Sequence, residues 1–565
     1  MRRRIVVIAF VSLLSLTTGF GCSHAGGDVA SNDTVHASGS NSASGSAGSG
    51  GNSGVAGASS ASGAGSSNAH GGTSQDIDAS DAGEGGVSGA GAAGTGLTYS
   101  DYAARAVSTL IANYYNGDGR WKECTHGCSP QNSDHGAGSS TFTLYLRWLA
   151  NGHDSSIAPY MSAIMNASPS YGGPCATANG CGSWSDVPMW DTIANLREYE
   201  VTGNNGQALT KGKAAFKAVD GAGQGVYAGG ACPSVLWQQA GGGGNKLKTL
   251  ETDSNYIKAA LLLYQATNDA TYLDKAKTRY TAVRQYFLDP TGTGLYTVYV
   301  FDDGTKCVQA LAHYYASVNG NMIWNGLRLS TFTGVGSYLA DAMATANAVV
   351  TELSDANGIF ADLQAENDIV VPLIEAMYDV ATEQNQAFAR DWILRNASAA
   401  VSAIKPSTGS YGRFFDGPPP VGTITEYMTN GGFSLLIAAG ALDPTGVPAT
   451  TDAWTSATSK SIDITTSSLP APIMFTGTGI ALIGTVGEQC CELGHAAVLI
   501  DGAETNDQTG IWQDKSNSGQ TIADSVLFAW RWQTAGTHTI TIIPALSNAK
   551  EGDTFVHVQQ YWVKP

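Results

Sequence analysis

A repeat of about 65 residues constrains the fold of this chain more than any other feature. Three stretches, "LREYEVTGNNGQALTKGKAAF", "LLLYQATNDATYLDKAKTRY" and "LRLSTFTGVGSYLADAMATAN", each place a turn between two runs whose apolar residues recur three and four apart. The turns lie at Thr202–Gly203, Thr267–Asn268 and Thr333–Gly334, which are 65 and 66 residues apart. Because Gly and Asn are typical just after a helix, each stretch predicts a hairpin of two helices.

Less regular copies of this pattern run from "LRWLANGHDSSIAPYMSAI" to "GGFSLLIAAGALD". Five or six such hairpins would fill residues 97–445, enough for a closed α/α toroid whose inner helices form the core. An open helical solenoid is the alternative, but solenoid repeats usually have about 34 to 47 residues. The repeat length therefore favours the toroid.

The pattern changes near residue 450. Short runs rich in β-branched and aromatic residues, such as "PIMFTGTGIALIGTV", "SVLFAWRWQ" and "THTITIIPAL", alternate with Gly, Asn and Asp. They predict a β-sandwich over residues 450–565. The predicted fold class is thus an all-α toroid followed by an all-β sandwich domain.

The first 96 residues predict export. "MRRRIVVIAFVSLLSLTTGFGC" has three arginines, a short apolar core and small residues before Cys22, as in a signal peptide over residues 1–22. Its end resembles a bacterial lipoprotein cleavage box, so we expect lipid on Cys22; a plain secretory signal cut nearby is the alternative. Residues 23–96 are mostly Gly, Ser and Ala, without aromatic residues, and predict a disordered linker. We expect a lipoprotein of the bacterial outer surface or periplasm, and otherwise an extracellular protein.

The net charge of −18 disfavours nucleic acid as a partner, because its phosphates need neutralising lysines and arginines. We expect a monomer that touches a membrane only through the lipid. No cofactor is expected. No metal is expected either, since no cysteine pair has a histidine pair at zinc-finger spacing.

Eight cysteines remain besides Cys22, and an exported protein favours disulfides. Spacing suggests Cys124–Cys128 and Cys175–Cys181. Cys232–Cys307 and Cys490–Cys491 would complete the set, although eight cysteines allow 105 connectivities.

One stretch, "GSWSDVPMWDTIANLREYEVTG", begins an amphipathic pattern with a single acid, Asp186. It resembles the α-1,6-mannanases of glycoside hydrolase family 76, in which two adjacent aspartates precede an aromatic residue and a helix that ends in Tyr-x-x-Thr-Gly. Asp186 matches the first aspartate and Trp190 the aromatic residue, whereas Val187 stands in place of the second aspartate.

The resemblance extends over residues 100–420. In "DSNYIKAALLLYQATNDATYLDKA", Asn255 matches a cleft asparagine, and in "ASVNGNMIWNGL", Asn319 is retained. The resemblance implies an (α/α)6 barrel and a hydrolase acting on α-mannan or a related α-linked polysaccharide.

A retaining glycosidase needs a carboxylate nucleophile and a carboxylic acid about 5 Å apart. The family pattern makes Asp186 the nucleophile, and we expect the helix dipole to favour its ionised form. Asp191, one turn beyond Val187, is our first choice for the acid and Asp253 the second; the weaker candidates are Asp134 and His135. The structural alternatives are an N-cap role for Asp186 and a solvated helix acid for Asp191.

Aromatic residues near predicted loops and inner-helix starts indicate a sugar-binding cleft, although each is as readily a core residue: Trp184, Trp190, Tyr227, Trp237 and Trp324. The sandwich resembles modules appended to secreted glycosidases, whose tryptophans either bind polysaccharide or pack against the neighbouring domain. Here these are Trp512, Trp530, Trp532 and Trp562.

The leading hypothesis is therefore a retaining hydrolase. The alternatives are a catalytically degenerate carbohydrate-binding surface protein and a structural or adhesin role.

Overall fold

The computed structural model describes most of the chain beyond residue 95. The described residues are 96–122, 134–167, 185–203, 205–226, 229–238, 246–309, 314–361, 370–412, 414, 417–419, 424, 426–449, 454–457, 462–465, 471–486, 495–504, 511–512, 522–545 and 554–565. Several predicted residues lie outside them, namely Cys22, Cys124, Cys128, Cys175, Cys181, Trp184, Tyr227, Cys490 and Cys491.

The described residues contain twelve α-helices up to residue 442. Their bounds are α1 Tyr99–Tyr114, α2 Asp134–Ala150, α3 Ala158–Ala167, α4 Val187–Val201, α5 Gly206–Val226, α6 Leu250–Thr267, α7 Ala270–Phe287, α8 Ala316–Thr333, α9 Gly336–Glu352, α10 Val371–Thr382, α11 Ala387–Ser402 and α12 Glu426–Leu442. The prediction that this part is mainly helical is confirmed, although it also holds three short strands.

The three repeat turns are helix C-termini, as their sequences predict. Gly203, Asn268 and Gly334 have φ angles of 70°, 55° and 72°. This left-handed conformation costs glycine nothing and asparagine little. The next helix then begins within a few residues, so each turn joins two helices of one hairpin.

Each even-numbered helix contacts the next even-numbered helix along the chain, and α12 contacts α2. These six helices of the described chain therefore make a closed cycle. The odd-numbered helices pack against them: α1 on α12, α3 and α5 on α4, α7 on α6, α9 on α8, and α11 on α10 and α12. Burial distinguishes the two sets. Residues 250–263 of α6 are all buried, whereas only six residues of α7 are, so α6 is enclosed on every side and α7 only on one.

Four connections from an odd-numbered helix to the next even-numbered helix share a small closed turn. An isolated β-bridge closes each one, at Tyr115–Trp121, Leu288–Tyr296, Ser354–Phe360 and Ile404–Tyr411. The second member is each time a buried aromatic residue. This second repeat was not recognised in the sequence analysis, although "NGDGRW", "PTGTGLY", "DANGIF" and "PSTGSY" show it as a glycine-containing turn followed by an aromatic residue.

Three short strands that occur along the chain between α5 and α8 form a small antiparallel sheet. Its strands are β1 Leu247–Thr249, β2 Tyr299–Asp302 and β3 Cys307–Gln309, in that order across the sheet. Cys307 forms a disulfide with Cys232, with a Cα–Cα distance of 5.3 Å. This pairing, one of those that would complete the predicted set, is confirmed.

The C-terminal part contains an antiparallel sheet, which confirms its predicted β character. Its strands are β4 Thr455–Ala457, β5 Ile462–Thr465, β6 Ile473–Val486, β7 His495–Ile500, β8 Ala503–Glu504, β9 Ile511–Trp512, β10 Ile522–Ala545 and β11 Thr554–Lys564. The order across the sheet is β9-β7-β10-β6-β11-β4, with β5 beside β11 and β8 beside β7.

The sheet packs against the helical part. Ala361, Ile424 and Met428 belong to the same buried apolar cluster as Val526 and Ala529 of β10. Nearby, the amide of Arg531 donates a hydrogen bond of 3.1 Å to Oδ2 of Asp355. Since Asp355 and Ala361 precede α10, and Ile424 precedes α12, the sheet contacts the end of the helical part at which the even-numbered helices begin.

The sheet tryptophans differ in exposure: Trp530 is buried, whereas Trp532 and Trp562 are half-buried. None of the helices among the described residues is both long and apolar enough to cross a bilayer.

Candidate active site

Asp186 stands immediately before α4, one of the six enclosed helices. Its side chain makes no capping hydrogen bond, and its backbone is already helical, with φ −74° and ψ −33°. The alternative in which Asp186 serves as a conventional N-cap therefore lacks its defining hydrogen bond. Asp186 and Val187 are both half-buried as whole residues.

The surroundings of Asp186 raise its pKa rather than lower it. Burial raises the pKa from 3.8 to about 6, against the opposing effect of the backbone amides of Asp186 and Val187. The expectation that the helix N-terminus would dominate is therefore not met, because removal from water outweighs the helix amides. At pH 7 a carboxyl with this pKa is still about nine-tenths ionised.

The residue before Asp186 is fastened to a neighbouring segment. Ser185 is fully buried, and its amide donates a 2.9 Å hydrogen bond to the carbonyl oxygen of Gln238. Its hydroxyl lies 2.5 Å from the carbonyl oxygen of Trp237 and 2.9 Å from that of Gln238. These hydrogen bonds fix the backbone immediately before Asp186.

Asp191 is more deeply buried than Asp186. Only 1% of it is exposed, and Nδ2 of Asn195 donates a 3.2 Å hydrogen bond to its Oδ1. Burial raises the pKa of Asp191 well above its usual value, while Lys211 of α5 and Asn195 lower it. Asp191 thus lies on the side of α4 that faces α5, withdrawn from solvent. The prediction of a solvated helix acid is wrong, and burial argues against Asp191 as proton donor.

Asp253 is also enclosed. Its carboxylate accepts hydrogen bonds from the amide of Leu236, at 3.3 and 3.1 Å, and lies 3.3 Å from Nη1 of Arg279. Burial raises its pKa to about 6, against the effects of Arg279 and the Leu236 amide. Asp253 has no exposed area, and its hydrogen bonds and ion pair join the segments of Leu236 and Arg279.

The two predicted cleft asparagines are fully buried. Asn319 accepts a 2.9 Å hydrogen bond from the amide of Tyr296 and donates to the carbonyl oxygens of Tyr296 and Tyr315, so both ends of its amide are occupied by backbone. Asn255 accepts a 2.7 Å hydrogen bond from Nδ2 of Asn321. Both residues hold the helical part together in this conformation.

The predicted aromatic residues are distributed between the site and the core. Trp190 is half-buried and packs its ring 5.4 Å from that of Phe142. Trp237 is 8% exposed, with Nζ of Lys248 4.3 Å from its ring centre. Trp190 lies four residues after Asp186, and the carbonyl oxygen of Trp237 accepts a hydrogen bond from Ser185. Trp324, in contrast, belongs to α8.

Trp324 lies at the centre of the cycle of helices. It is 2% exposed, and Arg197, Lys258 and Arg328 lie 5.4, 5.0 and 5.2 Å from its ring centre. Such cation–π contacts stabilise buried cations. They leave the ring no exposed face for a sugar.

A buried ionic network fills this centre. Arg197 and Lys258 both pair with Glu375, the latter at 2.9 Å, and Arg328 pairs with Asp379. Burial raises the pKa of Glu375, but Arg197 and Lys258 outweigh it, and the net pKa is lowered. Because α4 and α10 are not neighbours in the cycle, the Arg197–Glu375 pair crosses it. None of these residues was predicted from the sequence; charged residues inside apolar helical patterns are the signal that could have shown them.

Two of the three comparisons with known proteins, with family models and with curated proteins, found no match. Solved structures did match. The GH76A α-1,6-mannanase of Salegentibacter sp. HEL1_6 is 19% identical, with 61% of this chain and 99% of that chain covered and a TM-score of 0.52. An inactive variant of it with two consecutive aspartates replaced by asparagine, in complex with α-1,6-mannotriose, is 18% identical with the same coverages and a TM-score of 0.53.

A third match is the family 76 mannosidase Bt3792 of Bacteroides thetaiotaomicron, 15% identical, with 61% of this chain and 98% of that chain covered and a TM-score of 0.52. At such identities the comparison establishes the fold. This chain shares, over 61% of its length, the fold of family 76 glycoside hydrolases, and the resemblance to that family is confirmed at the level of the fold.

Proposed function

We propose that this protein is a glycoside hydrolase that cleaves α-mannan or a related α-linked polysaccharide. The observation that carries the proposal is Asp186, a half-buried aspartate whose side chain makes no capping bond, at the start of an enclosed helix in a fold shared with α-1,6-mannanases. In this proposal the helical part is an (α/α)6 toroid, and the C-terminal sheet belongs to a β-sandwich that packs beside the helix starts.

In the proposed retaining reaction the ionised Asp186 attacks the anomeric carbon and forms a glycosyl-enzyme intermediate, which water then hydrolyses. The pKa of about 6 leaves the carboxylate ionised at neutral pH. A carboxyl that is partly withdrawn from water is also less stabilised by solvation, which suits a nucleophile.

A second carboxyl must protonate the leaving oxygen. Asp191 and Asp253, the first two choices from the sequence, are both buried. We therefore place Asp134 before them. It begins α2, a helix that contacts α4 and precedes it in the cycle of enclosed helices.

Export and attachment complete the proposal. The signal-like residues 1–22, lipid on Cys22 and the Gly/Ser/Ala linker would hold a monomeric enzyme at a bacterial outer surface or in the periplasm. A flexible chain of 74 residues spans on the order of 50 Å, enough reach for a tethered enzyme to meet an insoluble polymer.

A catalytically degenerate carbohydrate-binding protein is the second candidate. The observation that favours it is Val187, which is half-buried beside Asp186 where family 76 enzymes carry their second aspartate. A hydrocarbon side chain cannot donate a proton.

The two candidates separate in one experiment. Purified protein is incubated with α-1,6-mannan and, in parallel, with an aryl α-mannoside whose leaving group needs no protonation. The hydrolase releases products from both, Asp186→Asn releases none, and Asp134→Asn loses the polymer reaction while keeping the aryl one. Asp303→Asn, in an exposed turn, is the control and stays active. Polymer that is bound but never cut would replace the hydrolase proposal with the degenerate one.

A further inference from the structure

The residues that fix Ser185 belong to one compact segment, residues 229–238, here called the support loop. It leads from α5 towards β1, and Trp237 pairs with Lys248 in an isolated β-bridge. Loops usually meet their backbone hydrogen bonds with water. In the support loop, many backbone N–H and C=O groups instead form hydrogen bonds with buried charged side chains.

Lys248 provides three of these bonds. It has no exposed area, and its ammonium group donates to the carbonyl oxygens of Gly229, Cys232 and Val235, the last two at 2.9 Å. Three carbonyl oxygens spread over seven residues thus converge on one group. A lysine ammonium has three donor hydrogens, as many as the loop carbonyl oxygens that it contacts here.

Carboxylates and a second cation bind the remaining backbone groups. Asp302, 3.5 Å from the Lys248 ammonium, accepts from the amides of Ala231 and Cys232 at 2.8 Å. Asp253 accepts from the amide of Leu236, and Arg279 donates to the carbonyl oxygen of Ser234. Burying these charges is costly unless they are paired and hydrogen-bonded. Here Lys248 pairs with Asp302 and Arg279 with Asp253, and the backbone of the support loop provides the hydrogen bonds.

The far end of the loop is the part that reaches the site. The carbonyl oxygens of Trp237 and Gln238 accept the hydrogen bonds of Ser185, and Asp186 is the next residue. A continuous chain of bonds thus runs from Lys248 through the support loop to Ser185, the residue before the proposed nucleophile.

We infer that Lys248 is a positioning residue for Asp186: it shapes the support loop so that Trp237 and Gln238 hold Ser185, and with it the carboxylate, in the reactive place. This inference rests on the proposed function. Lys248 touches no substrate in this arrangement, and its effect reaches catalysis only through geometry. A displacement of about 1 Å at a nucleophile lowers turnover by about 100-fold.

The test compares Lys248→Met, which keeps the length of the side chain but removes its donors, with Lys275→Met. Lys275 is a partly exposed lysine of α7 that pairs with Asp220. Two quantities are measured on the full protein: kcat and KM with mannan oligosaccharides, and hydrogen–deuterium exchange of the peptide containing Ser185. Lys248→Met is expected to lower kcat by about 100-fold, to leave KM within about threefold, and to speed exchange of the Ser185 amide; Lys275→Met changes neither.

Ser185→Ala tests the same chain of bonds from its other end and covers the case in which Lys248→Met does not fold. It removes the hydroxyl bonds to Trp237 and Gln238, and we expect a lowered kcat together with faster exchange around Asp186. If the folded variants keep the Ser185 amide as protected as in the parent protein, the inference is overturned, whatever the activity. If the parent protein cleaves no mannan, the proposed function fails, while the exchange result still decides whether Lys248 controls the geometry at Ser185.

Discussion

Replacing Asp186 by asparagine is expected to stabilise the protein at neutral pH while abolishing turnover. Asparagine has nearly the same shape and is as good as aspartate at helix starts, so the change removes little besides the charge. The carboxylate has no side-chain cap bond to lose. What remains is the cost of keeping an ionised group partly out of water.

The size of the effect follows from the pKa. The folded value is about 6 and the ordinary value is 3.8, a difference of about 2 units, or about 3 kcal/mol at about 1.4 kcal/mol per unit. The sign follows from proton binding. Between the two values the folded protein holds the proton more tightly than the unfolded chain, so this group stabilises the fold below pH 3.8 and that contribution is lost as the pH rises through 6. At pH 7.5 the asparagine variant, which does not titrate, is therefore favoured by up to about 3 kcal/mol, and by little near pH 4.

Urea unfolding of both proteins at pH 4.5, 6 and 7.5, followed by circular dichroism, measures this difference. Asp269→Asn is the matched control: Asp269 also precedes a helix, but its side chain accepts from the Thr271 amide at 3.0 Å, and those bonds lower its pKa. The control therefore gains no stability on going to pH 7.5. A loss of stability in Asp186→Asn at pH 7.5 would show that the carboxylate serves the fold, and the argument for a catalytic role would fall with it.

Three further predictions concern the same region. If Asp186 is the nucleophile, kcat/KM falls about tenfold per pH unit below about pH 6, as its carboxylate becomes protonated; a flat pH–rate profile down to pH 4.5, with the fold intact by circular dichroism, would contradict this assignment. Replacing both Cys232 and Cys307 by serine removes a crosslink across 75 residues and costs up to about 4 kcal/mol of stability in the chain-entropy account, measured by urea unfolding; an unchanged midpoint would show that the fold alone holds the support loop. Val187→Asp restores the family pair: in an inactive parent it creates mannan hydrolysis, whereas in an active parent it leaves the reaction dependent on Asp134, as the double variant with Asp134→Asn tests by product release.

The buried network around Trp324 shows where sequence reasoning stopped short. Trp324, Asn255 and Asn319 stand on amphipathic helices at positions suited equally to a cleft or a core. Whether such a residue lines a cleft or lies in the core depends on its distance along the helix and on which other helices pack at that level. Arg197, for example, lies 11 residues beyond Asp186, about 16 Å along the helix at 1.5 Å per residue, and reaches Glu375 across the cycle.

The sequence by itself determined the helical hairpins, the β-rich C-terminal part and the singular position of Asp186. Each of these depends on local rules: 3.6-residue periodicity, left-handed Gly203, Asn268 and Gly334 at helix ends, and alternation in strands. Only the tertiary structure decided that Asp191 and Asp253 are buried and that Lys248 holds the support loop. Burial and ion pairing depend on which distant segments meet. No periodic pattern in the sequence relates the support loop to the four charged residues that bind it, which are Lys248, Asp253, Arg279 and Asp302. For the same reason a carboxylate at a helix start, which the helix dipole alone would keep acidic, has its pKa raised by the protein packed around it.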